Sequence, residues 1–249
     1  MKNVLVTGAA KRLGRAIALD LAAAGWNVAL HYNSSGDDAE AVAAEARGHD
    51  VKAAALKADL SREVETAGLV AQAAAAIGPL TALINSASIF EKDDWRTATR
   101  KSWDTHVEVN LRSPLVLSQQ FAAQLPDGAQ GNIINIIDQR VLKPTPQFLS
   151  YSLSKAGLYW LTTTLAQGMA PRIRVNAVGP GPTLRNERQS IADFERQRGA
   201  TLLGHGAEPA DVCAAVRYLR EAPAVTGQMI AADGGQHLIW QTPDVQGRE

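Results

Sequence analysis

The chain lacks several features that would assign it to a specialised class of protein. It has one cysteine, Cys213, so no disulfide can form within it, and a reducing, cytoplasmic setting is the simplest inference. Lys+Arg and Asp+Glu number 25 each, so no excess of positive charge favours a nucleic-acid partner. No apolar run is long enough to predict a membrane span. What is present is a globular composition, 46% hydrophobic, in 249 residues, a length that suits one α/β domain.

Predicted strands and helices alternate along the chain. Short apolar segments predict strands over residues 4–6, 27–32, 51–56, 80–84, 131–137, 173–176 and 228–231. Helices are predicted over 15–24, 37–47, 61–77, 100–125, 150–168 and 209–220, the fourth with a bend at Pro114. This order predicts a doubly wound parallel sheet with helices on both faces. The segment 179–206, rich in Arg and Glu, has no clear place in that sheet and is interpreted as a lid.

The first turn reads Thr7-Gly8-Ala9-Ala10-Lys11-Arg12-Leu13-Gly14. In a doubly wound sheet, ligands bind at the carboxyl ends of the strands. Glycines at both ends of this loop would let the backbone approach a pyrophosphate, and the following helix would supply amide donors. An ordinary turn with incidental glycines is the alternative interpretation of this spacing taken alone.

A tyrosine and a lysine follow the most apolar predicted strand. Tyr151 and Lys155 are four residues apart on a predicted helix, so they share one face of it. An ammonium group near a phenol favours the phenolate, which predicts a Tyr151 pKa lowered from about 10 toward neutrality. Asp138, where the preceding strand ends, is predicted to face the same cleft. A local pairing of Asp138 with Arg140 is the alternative for that carboxylate.

Taken together, these motifs resemble the short-chain dehydrogenase/reductase family over nearly the whole chain. The residues that carry the resemblance are 7–14, Asp59-Leu60, Asn85-Ser86-Ala87-Ser88, Asn110, Tyr151 with Lys155, Pro180-Gly181 and Asp233-Gly234-Gly235. The resemblance implies a single Rossmann-type domain over residues 1–249, a nicotinamide cofactor, a small-molecule substrate and a homotetramer. In that tetramer, the helices around Asn110 and Trp160 and the segment Leu238-Ile239-Trp240 would lie at interfaces.

The resemblance also implies roles for single residues. Asp59 would contact the adenine, Asn110 would help hold a proton relay, and Tyr151 would be the catalytic acid. Lys155 would bind the nicotinamide ribose, and Asp138 would complete the catalytic set. The implied cofactor-binding residues are Gly8, Lys11, Arg12, Leu13, Gly14, Tyr32, Asn33, Ser34, Ser35, Asp59, Leu60, Asn85, Ser86, Ala87, Tyr151, Lys155, Pro180 and Gly181.

Three departures from the common family pattern resemble one subgroup, the pteridine reductases and the related bacterial dihydromonapterin/dihydrofolate reductases. Arg12 replaces a glycine, Asp138 replaces the usual catalytic serine, and serines replace the second Asn and the Gly of Asn-Asn-Ala-Gly. His31-Tyr32 and Ala87-Ser88 with Phe90 fit the same subgroup. In it, Ser88 would contact cofactor and ligand, and Phe90 would stack on the pterin. The implied substrate-binding residues are Ser88, Phe90, Asp138, Tyr151 and, when the lid closes, Arg185, for which a solvated charge run is the alternative.

A carboxylate at position 138 suits one chemistry better than another. A ketone reductase must stabilise a developing alkoxide, which a negative charge at Asp138 would repel. Reduction of a dihydropterin C=N bond sends a proton to a ring nitrogen, and a carboxyl group can take part in that protonation. A carboxylate can also accept hydrogen bonds from the amino and N–H groups of a pterin.

The end of the second predicted strand bears on the choice of cofactor. An acidic residue there would accept the ribose 2′-hydroxyl of NAD, but this chain has His31-Tyr32-Asn33-Ser34-Ser35. Cations and hydroxyl donors, as in Lys11, Arg12 and these serines, suit a phosphate, so NADPH is the predicted cofactor. The alternative is that Asp37 or Asp38 takes the NAD position, although both are predicted to open the next helix.

Three functional hypotheses follow. The first is an NADPH-dependent reductase of a dihydropterin or dihydrofolate-type C=N bond. The second is a generic reductase or dehydrogenase of a carbonyl or alcohol substrate, and the third is a dinucleotide-binding sensor without turnover. An intact Tyr151, Lys155 and Asn110 disfavour the third. His31, His49 and His106 have no metal-ligand spacing, so no metal site is expected.

Overall fold

A computed structural model describes residues 2–242 of the chain. Its strands are β1 (Asn3–Val6), β2 (Asn27–Tyr32), β3 (Ala53–Lys57), β4 (Ala82–Asn85), β5 (Gly131–Ile136), β6 (Ile173–Pro180) and β7 (Met229–Ala232). They form one sheet in the order β3-β2-β1-β4-β5-β6-β7, and every neighbouring pair is parallel. The predicted doubly wound parallel α/β sheet is therefore confirmed.

Helices cover both faces of this sheet. They are α1 (Arg12–Ala23), α2 (Gly36–Arg47), α3 (Glu63–Ile77), α4 (Arg100–Val107), α5 (Ser113–Gln124), α6 (Leu149–Met169), α7 (Ile191–Gly199) and α8 (Pro209–Glu221). Side chains alternate along a strand, so Val4 and Val6 of β1 pack with α1, α2 and α8, whereas Leu5 packs with α3 and α5. An apolar core results on each face, and a third, smaller cluster contains Ile137, Leu158 and Ala177.

The helix predicted over 100–125 is divided. A π-helical turn, Glu108–Arg112, separates α4 from α5, and Pro114 lies in the first turn of α5. A proline ring clashes with the carbonyl four residues earlier, here that of Asn110, so the distortion precedes the proline. The prediction of a bend at Pro114 is corrected to an irregular turn before it. Such turns occur often at functional sites.

The end of β6 also differs from its prediction. β6 runs to Pro180, because Gly179 and Pro180 pair with Ala231 and Ala232 of β7. The first two residues of the segment interpreted as a lid therefore belong to the sheet. Farther along, the same segment forms α7, for which the sequence analysis predicted no helix.

Other strand and helix ends differ from prediction by a few residues. None of the helices within residues 2–242 has the length and apolar character needed to cross a membrane.

Candidate active site

The loops after β1 and β4 are tied together at the carboxyl edge of the sheet. Thr7 Oγ1 accepts hydrogen bonds from the N–H groups of Ser86 at 2.9 Å and Ala87 at 3.0 Å. Gly8 has a φ of 65°, and a Cβ atom there would lie 2.8 Å from Ala87 Cα. The close approach and the left-handed backbone both require glycine. Gly14 has a similar role, since its Cβ would lie 2.1 Å from the Gly8 carbonyl oxygen.

His31 supports the glycine loop from β2. Its Nδ1 accepts the Gly8 N–H at 3.1 Å, so its proton lies on Nε2, which faces the Ala58 carbonyl oxygen at 3.0 Å. Burial lowers the pKa of His31 below its ordinary value, so the neutral ring that these contacts need is favoured. Spacing alone gave no signal for this role.

The cations of the glycine loop face the start of α2. Lys11 Nζ lies 3.0 Å from Asp38 Oδ2, and a cavity of about 260 Å³ lies between α1 and α2, with Lys11, Arg12, Arg15, Asp38 and Glu45 among its lining residues. Asp37 and Asp38 lie in the first turn of α2, as predicted. Asn33 and Ser34 are exposed and Ser35 is half-buried beside this turn.

Arg12 contacts the segment interpreted as a lid. Its guanidinium donates to the carbonyl oxygens of Leu184 at 3.0 Å and Arg185 at 2.8 Å. Arg12 has a φ of 55°, in the left-handed region that favours glycine. Glycine is also the residue that the common family pattern predicts at this position. The side chain predicted to meet a cofactor phosphate thus holds the lid segment in this structure.

The remaining candidate cofactor residues have different surroundings. Asp59 Oδ1 accepts hydrogen bonds from the Ser61 side chain and N–H, which lower the Asp59 pKa. Asn85 is buried, and within residues 2–242 its Oδ1 has no hydrogen-bond partner. A Cβ at Gly181 would lie 2.6 Å from Asp233 Cβ, so β6 and β7 end in close contact. Leu13 and Leu60 pack in the apolar cores, and Tyr32 lies against Gly36.

Asn110 lies in the π-helical turn and is fully buried. Its Oδ1 accepts the Ile89 N–H at 2.9 Å, and its Nδ2 donates to the Ile89 carbonyl at 2.9 Å and to Ser154 Oγ at 3.1 Å. Ser154 Oγ in turn donates to the Tyr151 carbonyl at 2.7 Å. Asn110 therefore fixes the loop after β4 against the helix that carries Tyr151.

Asp138 and Tyr151 are in direct contact. The Tyr151 hydroxyl donates to Asp138 Oδ2 at 2.8 Å, and Asp138 Oδ1 accepts the Arg140 N–H at 2.9 Å. The Asp138 carboxylate therefore makes a local contact with the main chain of Arg140 and a second contact across the cleft with Tyr151. It begins the 3₁₀ turn Gln139–Val141 and reaches α6 at the same time.

The pKa predicted for Tyr151 is wrong in direction. Burial, and then the charge and hydrogen bond of Asp138, raise the Tyr151 pKa well above its ordinary value. Lys155 is buried too, and burial lowers its pKa to about 8. Its Nζ donates to the Ile136 carbonyl at 2.9 Å and lies 5.9 Å from the centre of the Tyr151 ring. The prediction from helical spacing took no account of burial or of the carboxylate.

Two aromatic rings stack above this pair. The Phe90 ring lies edge-on to Tyr151, with centroids 4.6 Å apart, and parallel to Phe148 within 12° at 4.3 Å. Phe148 has a φ of 58° at the start of α6. The main-chain carbonyl of Asp93 holds this conformation by accepting the Phe148 N–H at 2.8 Å. Sequence reasoning missed Phe148, because no local pattern marks a left-handed phenylalanine.

Charged side chains surround the two rings. The Arg140 guanidinium carbon lies 5.5 Å from the centroid of the Phe90 ring. The guanidinium carbon of Arg188, a residue of the segment interpreted as a lid, lies 5.8 Å from the same centroid. Arg188 donates to the Phe90 carbonyl and pairs with Glu91. Arg185, the lid residue expected to reach a ligand, instead donates to the Gln189 carbonyl at 2.6 Å. The arginine of this segment that lies beside Phe90 is therefore Arg188, three residues farther along.

Ser88 is exposed beside these rings, and its Oγ lies 3.4 Å from the Ile89 carbonyl oxygen. Its side chain is open to solvent, and its contact with cofactor and ligand stays a prediction. Within the part of the chain that the structure describes, no group of three or more His, Cys, Asp or Glu side chains is arranged to hold a metal ion.

Comparison with known proteins gives three kinds of match. The family model described as short chain dehydrogenase matches residues 2–196. The 3-oxoacyl-[acyl-carrier-protein] reductase FabG of Staphylococcus epidermidis is 31% identical over 242 residues, covering 95% of this chain and 99% of the relative.

Solved structures give the third kind of match. The FolM alternative dihydrofolate reductase 1 of Brucella canis, crystallised with NADP, is 46% identical with a TM-score of 0.93. Its Brucella suis counterpart, also crystallised with NADP, is 48% identical with a TM-score of 0.94. In each case the match covers 98% of both chains.

Proposed function

Because the chain belongs to the short-chain dehydrogenase family and is therefore an oxidoreductase, we propose that it reduces a C=N bond of a dihydropterin or dihydrofolate-type substrate with NADPH. The observation that carries this proposal is the 2.8 Å hydrogen bond from the Tyr151 hydroxyl to Asp138, beneath the Phe90 ring. The similarity to the two Brucella alternative dihydrofolate reductases supports the same substrate class.

The residues present fit a nicotinamide dinucleotide. Gly8 has no Cβ atom, and its surroundings leave no room for one, so a dinucleotide can approach its backbone closely. The buried Asn85 Oδ1 accepts no hydrogen bond within residues 2–242 and is free to accept one from the dinucleotide. Gly8, Gly14, Asn85 and Ala87 would line the dinucleotide, and Lys155 would hold its ribose. Arg12 with Ser34 and Ser35 would bind the 2′-phosphate, for which the crystallised NADP complexes of the Brucella proteins are further support.

NADPH, when bound, supplies the hydride, and the chain supplies the proton. The raised pKa of Tyr151 keeps its hydroxyl protonated at neutral pH, so it has a proton to donate, although a pKa nearer neutrality would make it a stronger acid. Asp138 accepts that hydroxyl's hydrogen bond and can also accept N–H groups of a pterin. Asn110 positions the Tyr151 helix and the Phe90 loop relative to each other through Ser154 and Ile89.

A second candidate is reduction of a carbonyl group. It is favoured by the 31% identity to the Staphylococcus epidermidis 3-oxoacyl-[acyl-carrier-protein] reductase over 95% of this chain. The position of Asp138 against Tyr151 disfavours it, because the carboxylate would repel the alkoxide that forms from a ketone.

Assembly and location remain predictions. We propose a homotetramer, and the exposure of Trp160 at 73% and of Trp240 at 61% is consistent with interfaces on α6 and near the C-terminus. A cytoplasmic location rests on the single cysteine. We propose that residues 181–206 act as the substrate lid.

The decisive experiment follows NADPH oxidation by the purified protein with dihydromonapterin, dihydrobiopterin, dihydrofolate and a panel of ketones and 3-oxoacyl thioesters. We expect turnover with at least one pterin or folate, and a kcat/KM above that for every carbonyl compound. Turnover of a ketone or thioester with all pterins inert would replace this proposal with carbonyl reduction. Tyr151→Phe should remove whichever activity is observed.

A further inference from the structure

Arg140 reaches the aromatic wall of the cleft from the turn that contains Asp138. Its main-chain N–H donates a hydrogen bond to Asp138 Oδ1 at 2.9 Å, which fixes the backbone from which the Arg140 side chain extends. Its guanidinium carbon lies 4.9 Å from the centroid of Phe148 and 5.5 Å from that of Phe90. These are cation–π distances, so the guanidinium is packed beside both rings.

This guanidinium has no polar partner within residues 2–242. No side-chain hydrogen bond and no ion pair is formed by it there, and its Nη1 is buried without an acceptor. Arg188, near the same Phe90 ring, differs because it is paired with Glu91. Buried donors in folded proteins are normally hydrogen-bonded, and an exception beside a catalytic pair needs an explanation.

We infer that Arg140 is a substrate-anchoring residue that donates hydrogen bonds to an oxygen atom of the substrate, either on its flat ring or on the substituent of that ring. Phe148 lies parallel to Phe90 at 4.3 Å, so a flat ring can stack on Phe90 beside this guanidinium. The planar guanidinium beside that stack can reach an oxygen on the ring or on its substituent. The inference rests on the proposed function and deepens it by naming the substrate's acceptor group.

Two oxygens of the proposed substrates fit this chemistry: the carbonyl of the pterin ring and a carboxylate on the tail of dihydrofolate. The variants Arg140→Met and Arg140→Lys should be compared using dihydrobiopterin, which has the ring carbonyl but no carboxylate, and dihydrofolate, which has both groups. We expect Arg140→Met to raise KM on the order of tenfold, with a smaller change in kcat, and Arg140→Lys to recover part of the loss. A rise for both substrates assigns the ring carbonyl, and a rise for dihydrofolate alone assigns the carboxylate.

The matched control is Arg100→Met, which removes an exposed arginine of α4 paired with Asp104. It should retain wild-type KM values and melting temperature. Equal KM values for wild type and Arg140→Met with both substrates would overturn the inference while leaving the proposed function intact. Calorimetric Kd values for both pterins, measured with NADP⁺ present, provide a second readout that does not need turnover. A wild-type protein that neither binds nor reduces a pterin would overturn both.

Discussion

His106 Nδ1 lies 2.7 Å from the hydroxyl oxygen of Ser150, the residue before Tyr151. His106 Nε2 accepts the Glu91 N–H at 3.1 Å, so the ring proton lies on Nδ1 and is donated to Ser150. The Ser150 hydroxyl in turn donates to Asp93, whose carboxylate also accepts the Ser150 N–H at 3.1 Å. A fully buried neutral imidazole thus joins α4, the Phe90 loop and the start of α6.

This arrangement predicts a stability that depends on pH. Burial lowers the His106 pKa in the folded state, and the charge of Asp93 opposes that shift without reversing it. The unfolded chain therefore binds the proton at higher pH, near 6.5, so stability is full above about pH 6.5 and falls as pH decreases below it. We expect His106→Gln to show a smaller loss of melting temperature between about pH 7.5 and pH 5.5 than the wild type.

His49→Gln is the matched control, because His49 is exposed after α2. It should keep the wild-type dependence on pH. His31, whose pKa is also lowered by burial, supplies the residual dependence that we expect in His106→Gln. An unchanged melting-temperature difference in His106→Gln would show that the imidazole does not titrate with unfolding.

Arg12 predicts a link between cofactor choice and the lid segment. Its guanidinium donates to the Leu184 and Arg185 carbonyls, and a 2′-phosphate would compete for the same donors. We expect Arg12→Ala to raise KM for NADPH on the order of tenfold, with a smaller change for NADH, because charge-assisted hydrogen bonds are lost only with the former. Steady-state kinetics with both cofactors test this.

Arg47→Ala is the control for Arg12, since Arg47 ends α2 and donates to the Ala53 carbonyl at 2.9 Å. It should leave both KM values near those of the wild type. A wild-type preference for NADH would contradict the prediction and favour the alternative in which Asp37 or Asp38 binds the ribose.

Patterns that repeat along the chain predicted the parts of the fold that depend on them. The alternation of short apolar strands with helices gave the parallel sheet, and the ordered motifs gave the family, which the matching family model confirms. The assignment of roles to Asp138, Tyr151 and Lys155 stays a prediction. The structure nevertheless shows the first two in direct contact, where the sequence predicted only that Asp138 faces the same cleft.

Features that depend on contacts between distant residues were not predictable in this way. Phe148 stacks on Phe90 because Asp93, which lies 57 residues before the α6 serine that it caps, fixes the start of that helix. The Tyr151 pKa was predicted in the wrong direction because helical spacing reports a neighbouring lysine but not burial. The position of Arg188 beside Phe90 was not predicted either, because it depends on the path of the segment interpreted as a lid.

Tyr151→Phe tests the proposed proton donor. We expect kcat to fall on the order of 10²–10⁴-fold while the Kd for NADPH changes little, because the hydroxyl acts in the chemical step. Lys155→Met should lower kcat and weaken NADPH binding together, as its buried Nζ would hold the ribose. Single-turnover kinetics and fluorescence titration with NADPH separate the two effects. Tyr159→Phe, on the same helix but 37% exposed, should behave as wild type.

Asp138→Ser tests the substrate class, because it restores the ordinary family residue. A serine hydroxyl can still accept the Arg140 N–H, so we expect a melting temperature and NADPH affinity close to those of the wild type. Loss of the carboxylate removes an acceptor for pterin N–H groups and the charged partner of the Tyr151 hydroxyl. Pterin reduction should therefore fall on the order of 10²–10⁴-fold.

The same substitution should have the opposite effect on a ketone. Removing a negative charge beside a developing alkoxide lowers the barrier, so ketone turnover should hold or rise in Asp138→Ser. Asp138→Asn removes the charge and nearly keeps the shape, since its one amide oxygen can keep the hydrogen bond from Tyr151 while the contact with the Arg140 N–H is lost. If kcat/KM for pterins is the same in wild type, Asp138→Ser and Asp138→Asn, the carboxylate has no part in pterin reduction. Carbonyl reduction would then be the better account of a site in which Tyr151 and Lys155 act without it.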